Sequence, residues 1–76
     1  MQLLPPEGLR LTGVLQSGGR SEAVVEFKQA SGSLHPGDRG GESTDLLPPG
    51  WSVAAIDIQR GQLTLQVGRR RVVLDM

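Results

Sequence analysis

The sequence predicts an all-β fold, a small β-sandwich or flattened open barrel of two three-stranded antiparallel sheets. Three observations predict it. Short segments alternate apolar and polar side chains with a period of two, as half-buried strands do. The connections between the later segments span only a few residues, which suits hairpins, whereas parallel crossovers need about a dozen or more. No stretch has helical apolar spacing over the length that a stable helix requires.

The elements follow in order. "GLRLTGVLQ" sets Leu9, Leu11, Gly13 and Leu15 on one side and Arg10, Thr12, Val14 and Gln16 on the other, which predicts a first strand. "SGGRS" supplies glycines for a tight connection, and "EAVVEF" resumes the alternation with Ala23, Val25 and Phe27 facing together, so the pair reads as a hairpin. "KQASG" reads as a second turn, and "SLH" as a short third strand that "PGD" interrupts.

Residues 39–50, "RGGESTDLLPPG", contain two turn-forming clusters and no sustained periodicity. They predict a loop, with Ser43 and Asp45 placed to cap a single helical turn over residues 43–47. Three further strands follow. "WSVAAIDIQ" aligns Ala54, Ile56 and Ile58, "GQLTLQV" aligns Leu63, Leu65 and Val67, and "RRVVLDM" aligns Val72 and Leu74, with connections at Arg60–Gly61 and at residues 68–70.

Seventy-six residues make one small domain with a modest core. The chain has no cysteine, so disulfides are excluded, and its single histidine leaves a structural zinc site short of ligands. The redox compartment stays open, because a thiol-free chain behaves alike in oxidising and reducing surroundings. No apolar run approaches the roughly 18 residues of a membrane span, and "MQLLPPEG" lacks the basic start and apolar core of a signal peptide. Residues 1–8 read as the remnant of a linker and residues 9–76 as the β domain. Formal charge is zero but uneven: Arg60, Arg69, Arg70 and Arg71 stand against Asp75 alone after residue 59. Such an imbalance steers charged partners, although arginines at a strand end are commonly just solvated.

The densest chemistry lies in "LHPGDRGGES", residues 34–43. His35, Asp38 and Ser43 have the residue types of a base, an orienter and a nucleophile. A triad also needs an oxyanion site and a water-excluding pocket, which a glycine-rich loop on so small a core does not readily offer. Metal binding by His35, Asp38 and Glu42 lacks recognisable ligand spacing. Geometry explains these residues better: Pro36 presets φ, Gly37 supplies a positive φ, and Asp38 accepts backbone N–H bonds at the exit of the third strand. No catalytic, metal or cofactor site is expected, and His35 is expected at a strand end, partly exposed. The alternative to a protein-binding module is a small β-barrel nucleic-acid-binding module. Trp51 is its sole possible stacking platform, since Phe27 falls on the apolar face, and there is no basic surplus for phosphates. Trp51 is expected to cover one end of the sandwich.

The ordered set "LRLTGVL", a hairpin carrying "AVVEF", "PGD", then "VAAIDIQRGQLTLQVGRRRVVLDM" resembles the periplasmic homology-region domain of the inner-membrane C component of type II secretion systems. It is similar as well to the related PilP lipoprotein of type IV pilus machines. The matching positions are Leu11, Gly13 and Val14; Ala23 and Val25; Gly37 and Asp38; Ile56, residues 62–65, Gly68, and residues 72–74, so the resemblance covers nearly the whole of residues 9–74. It implies two three-stranded antiparallel sheets and a docking role in the periplasm. The partner would be the first N-terminal periplasmic domain of the outer-membrane secretin, alongside other inner-membrane platform proteins. It also implies a preceding cytoplasmic stub, membrane helix and linker, so contact with the membrane would run only through a segment outside this chain. Within such a domain the first strand is the natural contact. Its outward residues would be Arg10, Thr12 and Val14, which combine a charged donor, a hydroxyl and an apolar surface. Arg69, Arg70 and Arg71 would add a salt-sensitive contact.

Overall fold

A computed structural model describes residues 4–76. Six strands run in chain order: β1 (Leu9–Ser17), β2 (Arg20–Phe27), β3 (Ala30–Leu34), β4 (Trp51–Asp57), β5 (Gln62–Val67) and β6 (Arg70–Asp75). Each pairs antiparallel with its neighbour, giving two three-stranded sheets ordered β1-β2-β3 and β4-β5-β6. Both sheets are open and their inner faces stack as a small sandwich. Leu9, Leu11, Ala23, Val25, Phe27 and Leu34 meet Val53, Leu63, Leu65, Val72 and Leu74 across it. Burying each such Leu, Val or Phe contributes about 1.5–3 kcal/mol relative to exposure. The radius of gyration, 11.3 Å, is close to the roughly 11.4 Å of a folded chain this long.

Two residues break the simple alternation. Between Leu11 and Gly13 the register shifts, leaving Thr12 as an extra residue without a partner in β2. Such a bulge changes the phase of every position beyond it. Val14 therefore lies opposite Ala23 and packs on the core, while Leu15 turns outward and is 40% exposed. The expected outward position of Val14 is corrected accordingly. A second bulge at Ala54 does the same in β4, so Val53 and Ile56 face inward in place of the expected set of Ala54, Ile56 and Ile58. Ile58 lies in the four-residue turn of residues 58–61, where Asp57 Oδ1 accepts the Arg60 N–H at 3.0 Å.

The turns are tighter than the sequence suggests. Gly18 and Gly19 both have positive φ, as two-residue hairpins with matching twist require. Lys28 and Gln29 adopt the same left-handed pair, at 50° and 72°, without a glycine. The second turn is thus these two residues alone, and β3 begins at Ala30, not at Ser33. The Lys28 ammonium lies 5.3 Å from the centroid of the Phe27 ring, a cation–π contact that offsets part of the backbone cost.

Residues 35–50 form no helical turn. His35 and Asp38 close a turn through the Asp38 N–H to the His35 carbonyl at 3.0 Å, with Gly37 at φ 91°. The chain then runs beside β4: Gly37 and Gly40 donate to the carbonyls of Val53 and Trp51, and Val53 donates to Asp38. Next it folds around the Arg39 carbonyl, which accepts the N–H groups of Glu42, Ser43 and Thr44. The Thr44 hydroxyl accepts the Leu46 N–H at 3.0 Å, and Leu47 drops into the core at 2% exposed. This burial replaces the expected helical turn at residues 43–47. It also brings the Leu47 and Pro48 carbonyls so close to Gly40 that a Cβ there would collide with them.

Candidate functional site

The His35 cluster is assembled by three local features. The Pro36–Gly37 turn returns Asp38 beneath the end of β3, where its Oδ2 accepts the His35 N–H at 2.9 Å. The β2–β3 pairing places Glu22 nearby, and its Oε1 lies 3.1 Å from His35 Nε2. His35 Nδ1 is 3.6 Å from Asp38 Oδ2, so the half-buried imidazole stands between two carboxylates. Ser43 Oγ accepts the Arg39 N–H at 2.9 Å and reaches Asp38 Oδ1 at 3.4 Å. His35, Asp38 and Ser43 do come together, but with the carboxylate in the middle. The hydroxyl faces Asp38, so the imidazole is not positioned to take its proton, and the arrangement pins the loop. Among the described residues no three His, Asp or Glu side chains are grouped to hold a metal ion.

The six residues assigned to partner contact are dispersed. Arg10 is exposed on the outer face of the first sheet, in register with Glu26. Thr12 is exposed, but its hydroxyl donates to the Val24 carbonyl at 3.0 Å and so serves the bulge. Val14 faces the core, away from Arg10. Arg69 sits in the β5–β6 turn, whereas Arg70 and Arg71 open β6 and, by strand alternation, point to opposite faces. The three guanidinium groups do not form one patch. About 17 Å of strand separates them from the end of β6 that lies beside Arg10.

The two flanks of the sandwich differ. On one, residues 37–40 hydrogen-bond along β4 and close the sheet edge. On the other, β1 and β6 face each other without a shared ladder, and a groove of about 390 Å³ runs between them. Leu9, Arg10 and Leu11 line it from β1 and Val73, Leu74 and Asp75 from β6, so apolar and charged side chains share its surface, and Leu9, Leu11 and Leu74 are themselves buried. Val73 is 51% exposed and Met76 67%. Sequence reasoning missed Val73 and Asp75. The available signal was an apolar residue at an outward position of "RRVVLDM", between the inward Val72 and Leu74.

Trp51 takes its expected place at the edge of the core, half-buried, where it lines a groove of about 410 Å³ with Pro6, Phe27, Lys28 and Pro48. Phe27 is buried beneath Lys28.

The class defined by this architecture is the small, two-sheet antiparallel β-sandwich with one closed and one open flank. Compared with known proteins, the chain matches no family model, no curated protein and no solved structure.

Proposed function

We propose that the chain is a protein-docking module whose partner is the first N-terminal periplasmic domain of an outer-membrane secretin, in a type II secretion or type IV pilus machine. It would act in the periplasm as part of an inner-membrane-anchored protein and link that platform to the outer pore. The partner's identity is supported by the resemblance in strand order and in the "PGD" turn. Docking itself is carried by one observation: the open β1–β6 flank, whose groove presents the exposed Val73 and Met76 beside Arg10 and Asp75. Exposed apolar side chains beside opposite charges suit a small, reversible interface that is oriented electrostatically. The bulge at Thr12 limits how far a partner strand can follow β1, so contact along that strand centres on Arg10. Nucleic-acid binding gains no comparable support, since Phe27 is buried, Trp51 packs on the core and net charge is zero.

Titration calorimetry with secretin periplasmic fragments tests this reading. Arg10→Glu is expected to weaken binding about fivefold or more, with greater sensitivity at low salt and an unchanged melting temperature. Unchanged affinity for Arg10→Glu removes the surface assignment. Failure of the wild-type chain to bind any secretin fragment removes the partner.

A further inference from the structure

An edge strand exposes unpaired N–H and C=O groups, and folded proteins guard such edges with bulges, brevity, charge or a covering segment. This sandwich has four edges: β1, β3, β4 and β6. The Thr12 bulge interrupts β1. β4 has its own bulge and is covered by residues 37–40. β3 is five residues long, and only Leu34 among them is fully buried. β6 differs from all three. It is six residues in unbroken register with β5, and its free side carries no ladder among the described residues.

We propose that β6 pairs with β6 of a second copy of this chain, antiparallel, about a two-fold axis that passes beside Val73. Two antiparallel copies of one strand in a continuous sheet are related by an axis normal to that sheet, so residues directly opposite must share a face. Arg71, Val73 and Asp75 lie on the outer face, and Val72 and Leu74 on the inner one. With Val73 opposite its own copy, Arg71 meets the partner's Asp75 and Asp75 meets the partner's Arg71. On the inner face Val72 meets the partner's Leu74, which prolongs the apolar layer. A slip of one residue sets outer positions against inner ones. A slip of two in one direction sets Val73 opposite the partner's Asp75 and pairs no charges; in the other it sets Arg71 opposite the partner's Val73 and leaves Asp75 facing the partner's Arg69, which lies in the β5–β6 turn outside the strand. Among registers that keep the faces aligned, only the one centred on Val73 pairs opposite charges within Arg70–Asp75. Asp75 is held ready on this face, because Gln62 Nε2 donates to its Oδ1 at 2.8 Å.

The interface is a single short strand pair, below the roughly 1,200 Å² of stable complexes, so the dimer is weak and concentration-dependent. A copy paired at β6 covers the flank proposed for secretin docking, which makes the two associations competitive. The inference does not use that docking reading, and its test needs only the chain itself.

Sedimentation equilibrium of the 76-residue chain, up to about 1 mM, is expected to show monomer and dimer in exchange. Arg71→Asp, Asp75→Arg or Val73→Asp is expected to weaken the dimer about tenfold, because each places like charges opposite one another or a charge on the axis. The double variant R71D/D75R is expected to recover most of that loss. Circular dichroism melts report whether each variant is folded. Because the chain has no cysteine, Val73→Cys gives a second reading: mild oxidation should cross-link it into dimers faster than Ala55→Cys, an exposed position on the same face. A chain that stays monomeric throughout, a double variant no better than either single, or equal cross-linking at the two cysteine positions each overturns the proposal.

Discussion

Val14 lies opposite Ala23, on the core side of its sheet, because Thr12 is one residue more than β2 can pair. The Thr12 hydroxyl steadies that extra residue by donating to the Val24 carbonyl across the ladder. A charge at position 14 therefore belongs to the fold and not to a partner surface. Val14→Asp is expected to cost about 1–3 kcal/mol in chemical denaturation, the range for burying an uncompensated polar group. Leu15→Lys, on the solvent side and opposite Glu22, should stay within about 0.5 kcal/mol. Equal effects at the two positions would mean that the bulge does not reverse the strand.

Gly40 is buried where the Leu47 and Pro48 carbonyls leave no room for a side chain. Gly40→Ala should cost about 3 kcal/mol or more, since backbone and not a flexible side chain must move. Gly13 provides the contrast: a Cβ there meets open space and its φ is not positive, so Gly13→Ala should be neutral or stabilising by up to about 1 kcal/mol. Thermal melts of the pair check both signs, and a Gly40→Ala variant as stable as wild type would refute the close approach.

Asp38 accepts the His35 N–H, receives the Ser43 hydroxyl and lies beside the imidazole, whereas Glu22 touches only the imidazole. Asp38→Ala is expected to lose about 1–2 kcal/mol, and Glu22→Gln less than about 1 kcal/mol because its contact with the imidazole is partly solvated. Native-state hydrogen exchange should also show faster exchange at the Gly37, Gly40 and Val53 amides in Asp38→Ala, because the loop that covers β4 is released. Unaltered exchange at these amides would show that Asp38 does not anchor the loop.

Gln29 has a φ of 72° in a two-residue turn, a conformation that side chains with a Cβ disfavour. Gln29→Gly should raise stability by about 0.5–1 kcal/mol, the relief of strain exceeding the entropy that glycine adds to the unfolded chain. A lower urea midpoint for this variant would contradict the left-handed geometry.

Much of this was legible from residue order. Gly18–Gly19, Pro36–Gly37–Asp38 and Gly68 marked turns because each supplies a backbone conformation that other residues resist. Leu63, Leu65, Val72 and Leu74 marked the core because alternation in β5 and β6 is unbroken. The Lys28–Gln29 turn was hidden, since neither residue favours a positive φ and it is the flanking ladder that imposes it. For the candidate surface, Arg10 was legible as an exposed strand residue. Val14 was misassigned because a bulge has no composition of its own. Val73 and Asp75 gained meaning only once β6 was known to be an edge.

From its sequence alone the chain determined the number of strands, their antiparallel pairing in two runs of three, and most of the turns, because periodicity and short connections act between near neighbours. Tertiary structure decided which face Val14 and Val53 occupy, and which flank of the sandwich closes. The physical reason is packing at a distance. Burying Leu47 draws the preceding loop across β4 and closes that flank, and seating Val14 against Ala23 leaves Thr12 as a bulge that sets which residues of β1 face the core.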